Sequence, residues 1–333
     1  MLAAILRSSA PGSVEVTEVP TPEPSAGWVR IRVRRVGICG TDKALFSGTY
    51  RLKKDPLIPG HEIYGVVDEV GEGVDPSWVG RRVTTEINVS CGKCWYCRHG
   101  MRTHCPYRKA LGISMDGGMA EYVITPEENL WPVDGLTDVQ AAFVEPLAAV
   151  VQMTRMAPPQ GERFLVIGAG TIGLLAAQLL PGDVKVMARD GSPKSKIVEK
   201  LGLEFLPLSQ LDEALKSTPE GQGFDYVVEA TGRPEGLHLA LKSVRPRGVI
   251  AAKSTHGLET PLDYTDLVVR EVSIVGSRCG PFNESIRLLR EGKVRVEELL
   301  TSEFPLPEVG EAFRTALRRD QVKVHVIPRS QHA

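Results

Sequence analysis

RFLVIGAGTIGLLAAQLL, residues 163–180, reads as a short apolar strand, a glycine turn and a helix. Gly168, Gly170 and Gly173, with Thr171 and Ile172 between the last two, fit the pattern G-x-G-x-x-G. The first glycine permits the tight turn, the second lets backbone approach a pyrophosphate, and the third lets helix and strand pack closely. The pattern alone is weak; its place after a strand and at the opening of a helix gives it weight. The plainer alternative is a glycine turn in some other α/β domain.

Outward from this stretch, VKVMA (184–188), FDYVVEA (224–230), RGVIAAK (247–253) and EVSIVGS (271–277) read as further strands, with helical segments between several of them. This alternation predicts an α/β fold with a doubly wound parallel sheet. Upstream the texture changes. WVRIRVRRV (28–36) puts Val29, Ile31 and Val33 on one face and Arg30, Arg32 and Arg34 on the other, the period of a half-buried strand. IYGVVDEVGEGV (63–74), GRRVTTEI (80–87) and AEYVITPEENLWPV (120–133) read similarly, so the first 135 residues are expected to be β-rich. A helix is predicted in GLTDVQAAFVEPLAAVVQMTRM (135–156), opened by Thr137 and Gln140 as a capping box.

Four of the six cysteines crowd into CGKCWYCRHGMRTHC (91–105). Cys91, Cys94, Cys97 and Cys105 are spaced as C-x2-C-x2-C-x7-C. Pairs two residues apart can turn their sulfurs to one centre, and four thiolates close a tetrahedral zinc site that leaves no position open for substrate. An iron–sulfur cluster fits the last gap poorly, and a thioredoxin-like pair lacks its βαβ surroundings. A zinc ribbon that binds nucleic acid is the rival from another class, coloured by Arg98, Arg102, Arg108 and Lys109.

Composition weighs against that rival. The 333 residues are 42% hydrophobic and 24% charged, with a formal net charge of −1. Such a balance points to neither a nucleic-acid partner nor an anionic membrane. The opening MLAAILRSSAPG lacks a basic region and a long apolar run, and no apolar stretch approaches the ~20 residues needed to span a bilayer. The expectation is a cytoplasmic protein, where clustered cysteines favour metal or catalysis over disulfides.

A second set of chemical residues lies apart from the cysteine cluster. GICGTDKALFSG (37–48) holds Cys39, Thr41 and Asp42; PGHEIYGVV (59–67) holds His61 and Glu62; FVEPLAAVV (143–151) holds Glu145. Singly each has a structural explanation: a small buried cysteine, a satisfied turn histidine, a carboxylate on a helix surface. Together they supply the Cys, His and carboxylate that a catalytic zinc needs.

In that order, GICGTD, PGHEIYGVV, the four-cysteine segment, EPLA and VIGAGTIGLLAAQ make the chain similar to the zinc-dependent medium-chain dehydrogenase/reductase family, the group of alcohol, sorbitol, threonine and glucose dehydrogenases. The resemblance covers essentially the whole chain. It implies a GroES-like β-rich catalytic domain (1–150 and 285–333) with a structural-zinc lobe at about 88–108, and a Rossmann domain at 151–284. It also implies two zinc ions per chain and a homodimer or homotetramer, with EVSIVGSRCG as a candidate strand at the subunit edge. Residue by residue, Cys39 and His61 match zinc ligands, and Glu62 and Glu145 match carboxylates of the metal sphere. Thr41 matches the hydroxyl that passes the substrate proton outward, and Asp42 matches a partner of the zinc-bound histidine.

The resemblance also frames the choice of cofactor. An acidic residue at the end of the second Rossmann strand binds the ribose of NAD, and an arginine there accommodates NADP. Counted back from LG by the family's helix length, that place in VKVMARDGSPKSKIVEKLG (184–202) falls on Arg189 rather than Asp190, with Ser192, Lys194 and Lys196 following. NADP is therefore expected over NAD, and Arg278 is placed at the pyrophosphate. The substrate class implied is a sugar or polyol oxidised at a hydroxyl-bearing carbon. A simple secondary alcohol or threonine with NAD is the rival within the family, and a lyase or enone reductase the rival on the same scaffold. Phe46, Tyr50, Arg51 and His256 are candidate pocket residues without assigned roles.

Overall fold

A computed structural model describes residues 1–328. The chain divides into two compact units. The first comprises Met1–Glu145, Ser285–Arg290 and the C-terminal segment from Leu300; the second comprises Pro146–Glu284 and Glu291–Leu299.

The first unit is β-rich. Its largest sheet runs, by neighbours, Leu300–Pro305, Lys323–Ile327, Trp28–Gly37, Glu62–Val70, Arg82–Thr85 and Leu130–Pro132, with Tyr122–Pro126 also paired to Trp28–Gly37. The first two of these strands are parallel and the other pairings antiparallel. Val29, Ile31 and Val33 are fully buried, as the alternation in WVRIRVRRV predicts. Arg35 continues the buried face, where it pairs with Glu303 and lies 3.3 Å from His325 Nδ1. The alternation breaks at Val36, which is buried as well, past a register shift between Val33 and Arg35.

The second unit is built on a six-stranded sheet that is parallel throughout. Its order is Glu204–Pro207, Asp183–Ala188, Arg163–Ile167, Phe224–Glu229, Val244–Ala252 and Ser273–Gly276. By chain position this is 3-2-1-4-5-6, the Rossmann order, in which ligands bind at the carboxyl ends of the strands where the order reverses. The reversal lies beside Arg163–Ile167, whose carboxyl end is the glycine turn. The strand Glu204–Pro207 is an addition to the sequence reading: four residues ending in proline carry too little apolar pattern to be seen. The interior is aliphatic, with Leu165, Ile167, Val227, Val244 and Ile250 among its buried residues.

Thr137 caps the helix Asp138–Met156 as its sequence predicts. Thr137 Oγ1 accepts from Gln140 N at 3.1 Å, and Thr137 N donates to Gln140 Oε1 at 3.0 Å. The stretch Glu291–Leu299 groups with the second unit although the expected domain limits put all of 285–333 in the first. Its side chains explain this: Val294, Val296 and Leu299 are buried, and Arg295 N donates to Gln178 Oε1 at 2.8 Å.

Candidate active site

The cysteine segment folds as a short knuckle, with a helical turn at Trp95–Arg98 and tight turns at Gly92 (φ 69°) and Gly100 (φ 73°). The four sulfurs come within 4.8 Å of one another, and no other group of potential metal ligands among the described residues is drawn together so closely. Neighbouring Sγ atoms are 3.4 Å apart for Cys94 and Cys97, 3.6 Å for Cys91 and Cys105, 3.8 Å for Cys94 and Cys105, and 4.0 Å for Cys91 and Cys97. A disulfide requires about 2.05 Å. Four thiolates around a zinc at about 2.3 Å would stand about 3.8 Å apart, so the quartet fits a tetrahedral metal. The backbone amide of Lys93, aided by that of Cys94, holds the Cys91 thiol down to about 6.

The second cluster is buried and mixed. Cys39 caps the helix Gly40–Phe46, His61 and Glu62 stand where the chain enters the strand Glu62–Val70, and Glu145 projects from the helix Asp138–Met156. His61, Glu62 and Glu145 are all buried, and Asp42 has no exposure at all. Asp42 organises the backbone. Its carboxylate accepts from Cys39 N at 2.8 Å and from Gly60 N at 3.1 Å, joining the two segments that carry Cys39 and His61. The sequence reading made Asp42 the partner of the His61 ring. The carboxylate stands 3.9 Å from His61 Nδ1, which makes no hydrogen bond. Burial raises the Asp42 carboxyl above its usual range. Burial pulls His61 the other way, but the charges of Asp42 and Cys39, a hydrogen bond with Cys39 and, least, the charge of Glu145 outweigh it and leave the imidazole well above its ordinary value. Thr41 is half-buried on the same helix, two residues past Cys39.

Glu62 departs from the expected metal sphere. Its two oxygens lie 2.7 and 2.6 Å from Lys323 Nζ, which also donates to Ile38 O at 3.2 Å. Gly37 leaves the room for this, since a Cβ there would collide with the Glu62 carboxylate. Burial alone would depress the Lys323 ammonium, but Glu62 first, then Cys39 and Glu145, hold it above its usual value. Lys323 was not singled out from the sequence. VKVHVI alternates as though Lys323 and His325 faced solvent, yet both are buried. The cluster sets four acidic groups (Cys39, Asp42, Glu62, Glu145) around His61, Lys323 and the half-buried Lys43. With the imidazole neutral and Cys39 as thiolate, a divalent cation would balance the charge, and a nitrogen of His61 beside Cys39 and Glu145 is a donor set that zinc takes.

In the second unit the three glycines divide their work as the motif requires. Gly168 has φ 112°, and a Cβ there would lie 2.6 Å from Ala230 O. Gly173 packs against Gly168 O so closely that no side chain fits. Gly170 has open space where its side chain would be, the room a phosphate group needs. Thr171 and Ile172 open the helix Thr171–Ala177. At the end of the second strand Arg189 and Asp190 are both exposed, and Asp190 Oδ1 accepts from Ser209 N at 3.0 Å. Lys194 lies just before the helix Ser195–Lys200, and Arg278 follows the edge strand Ser273–Gly276.

The family described as "Alcohol dehydrogenase GroES-like domain" matches residues 25–135, and "Glucose dehydrogenase C-terminus" matches residues 140–327. The chain belongs to the zinc-dependent medium-chain dehydrogenase/reductase family. It is 31% identical to a sorbitol dehydrogenase of Halalkalibacterium halodurans, over 98% of this chain and 99% of that protein. A D-arabitol-phosphate dehydrogenase of Enterococcus avium is 31% identical over 93% and 92%, and an L-threonine 3-dehydrogenase of Pyrococcus horikoshii 29% identical over 91% of each. Among solved structures, an alcohol dehydrogenase (rspB) of Escherichia coli complexed with NADH superposes with a TM-score of 0.89 at 30% identity, covering 98% and 99% of the two chains. A zinc-binding dehydrogenase of Sinorhizobium meliloti bound to NADP gives 0.87 at 28%, covering 98% and 100%. No helix among the described residues is long and apolar enough to cross a membrane.

Proposed function

We propose that this dehydrogenase moves a hydride between the hydroxyl-bearing carbon of a sugar or polyol and a nicotinamide cofactor, NADP in preference to NAD. The buried cluster around Cys39, His61 and Glu145 carries this reading, because it joins the donors of a catalytic zinc to a deficit of positive charge. A zinc there would lower the pKa of a substrate hydroxyl, and the nicotinamide would supply the hydride acceptor. The protein's own residues do the rest. Asp42 fixes the backbone of Cys39 and Gly60, so that Cys39 and His61 are held before a ligand arrives. Thr41, half-buried two residues past Cys39, would take the hydroxyl proton and pass it on. Lys323 holds Glu62 in reserve: the carboxylate is available to the metal sphere only when it leaves the ammonium.

The cysteine quartet holds a second zinc in this reading, away from the chemistry. The glycine turn receives the cofactor pyrophosphate with Thr171, Ile172 and Arg278, and Arg189 with Lys194 faces the 2′-phosphate. The engagement of Asp190 by Ser209 supports Arg189 over Asp190 at that place. The active form is a homodimer or homotetramer, a reading supported by Ser273–Gly276 being the outermost strand of its sheet. The threonine dehydrogenases among the relatives keep threonine with NAD as the second reading.

The test is the initial rate of NADP⁺ against NAD⁺ reduction over aldoses, polyols, threonine and simple secondary alcohols. A polyol or aldose turned over faster with NADP⁺, and a shift toward NAD⁺ in Arg189→Ala, is the expected result. Preference for threonine and NAD⁺ would overturn it.

A further inference from the structure

We infer that Lys253 is a positioning residue for the nicotinamide half of the cofactor: its ammonium clamps the segment 277–280, which carries Arg278, to the helix Asp138–Met156. The inference rests on the cofactor reading above and deepens it. Lys253 is half-buried and follows directly on the strand Val244–Ala252. In the sequence it closes the stretch RGVIAAK and carries no sign of a role.

The order of the parallel sheet decides which end of the dinucleotide Lys253 serves. A Rossmann sheet joins two mononucleotide-binding halves where the strand order reverses, so the adenosine lies over one half and the nicotinamide over the other. Arg163–Ile167, Asp183–Ala188 and Glu204–Pro207 make the adenosine half, with Arg189 just past its second strand. Phe224–Glu229, Val244–Ala252 and Ser273–Gly276 make the other. Lys253 and Ser277 stand immediately past the carboxyl ends of two neighbouring strands of that second half, whose register sets Ala252 opposite Gly276. Carboxyl ends are where such sheets take their ligands.

The Lys253 ammonium donates to Ser277 O at 3.0 Å, to Ser277 Oγ at 3.1 Å and to Ala149 O at 3.1 Å. Three protons can serve three acceptors, and here the acceptors belong to two separate segments of the second unit. Packing brings the same two segments together a little further on. A Cβ at Gly280 would lie 2.0 Å from Ala148 O, so only glycine lets the chain run so close to the helix. Half-buried Arg278 lies between these two fixed points. The other flank of Lys253 is fixed as well. Lys253 N donates to Glu229 O at 2.8 Å, and Ser254 Oγ donates to Glu229 Oε1 at 2.8 Å and accepts from Gly232 N at 2.7 Å. Residues 253 and 254 thereby tie the carboxyl ends of all three strands of this half. A lysine that only covered surface would keep its ammonium in water. This one turns its ammonium to the chain at the ligand-binding edge, which sets that edge before a cofactor arrives.

The experiment is calorimetric titration of NADPH and NADH, and of adenosine 2′,5′-bisphosphate and AMP, the fragments that lack the nicotinamide half. The proteins are the wild type, Lys253→Met and Ser277→Ala. Lys253→Met should weaken the better-bound dinucleotide about tenfold, the worth of a hydrogen bond from a charged group, and leave its fragment within about twofold. Ser277→Ala removes one acceptor and keeps the backbone; it should weaken the dinucleotide about threefold, and it carries the test alone if Lys253→Met does not fold. Arg278→Ala should cost the dinucleotide less in the Lys253→Met background than in the wild type, because the clamp acts through that segment. A dinucleotide affinity that neither variant moves would overturn the inference and leave the cofactor reading standing. So would a fragment that weakens in step with the dinucleotide, the mark of a structural role alone, or losses at Lys253 and Arg278 that simply add. Binding of neither dinucleotide by the wild type would overturn the cofactor reading and this inference with it.

Discussion

The cysteine knuckle and the buried cluster around Cys39 both suit a metal, but they are built on opposite plans. The knuckle draws four like ligands from fifteen consecutive residues, and its sulfurs all lie within 4.8 Å of one another. The cluster draws unlike ligands from three distant segments, and its members do not converge: Glu62 is bound to Lys323, and His61 Nδ1 makes no hydrogen bond. In the proposed function the difference follows from the work. A structural site should saturate its metal, whereas a catalytic one must leave a position for substrate. A closed site can be encoded by local turns, and an open one needs a scaffold to hold its ligands apart.

The comparison breaks most visibly in Cys39→Ser against Cys97→Ser. Cys39→Ser should lower kcat by about 10³-fold or more while leaving far-ultraviolet circular dichroism unchanged, the several kcal/mol that hydroxyl polarisation is worth. Cys97→Ser should instead destabilise the fold, on the order of 4 kcal/mol, with the lost metal as the cause. Elemental analysis should find two zinc ions per chain in the fully loaded wild type and one in each variant. A single zinc in the wild type would remove the two-site reading.

Lys323→Met sharpens the view of the mixed cluster. Removing one partner of a buried ion pair leaves the other uncompensated, at about 3–5 kcal/mol. Adding Glu62→Gln to Lys323→Met should recover part of that loss in urea unfolding; no recovery would mean that the pair is not the dominant interaction of either residue.

The smallest effect comes from Asp225, a carboxylate that the protein satisfies without any metal. It accepts from Arg245 at 2.6 Å, from Arg163 at 3.1 Å, and from the amides of Glu162 and Arg163. Burial alone would raise this carboxyl; the bonds from Arg245 and the two amides outweigh it and hold it at about 2, below the usual 3.8. The folded state therefore binds the proton less readily than the unfolded chain. The contribution, about 2 kcal/mol, is present above pH ~4 and lost as pH falls toward ~2. Asp225→Asn should flatten that limb of the stability–pH curve, and an unchanged limb would assign acid sensitivity to other groups.

Much of this was legible before the structure. The cysteine spacing, the glycine turn and the Thr137 cap are local patterns, and each has the geometry its residues imply. Less legible were features that depend on what lies across the fold. Arg35 falls on the buried face of its strand by period, and only the fold supplies Glu303, far along the chain, as its partner. Lys323 reads as a strand's polar face until the two sides of that strand are both covered. Asp190 accepts at one oxygen from Ser209 N, nineteen residues on, a contact no local pattern announces. The strand Glu204–Pro207 has almost no pattern and is ordered by pairing with Asp183–Ala188.

By itself, then, the sequence determined the β-rich first part, the Rossmann alternation and the four-sulfur knuckle, because turns, periodicity and short spacings act over a few residues. Only the tertiary structure decided what each buried charge faces: Glu62 against Lys323, and Asp42 against two backbone amides. Coulombic and hydrogen-bond partners are chosen by distance in space, and residues 261 positions apart in the chain meet there at 2.6 Å.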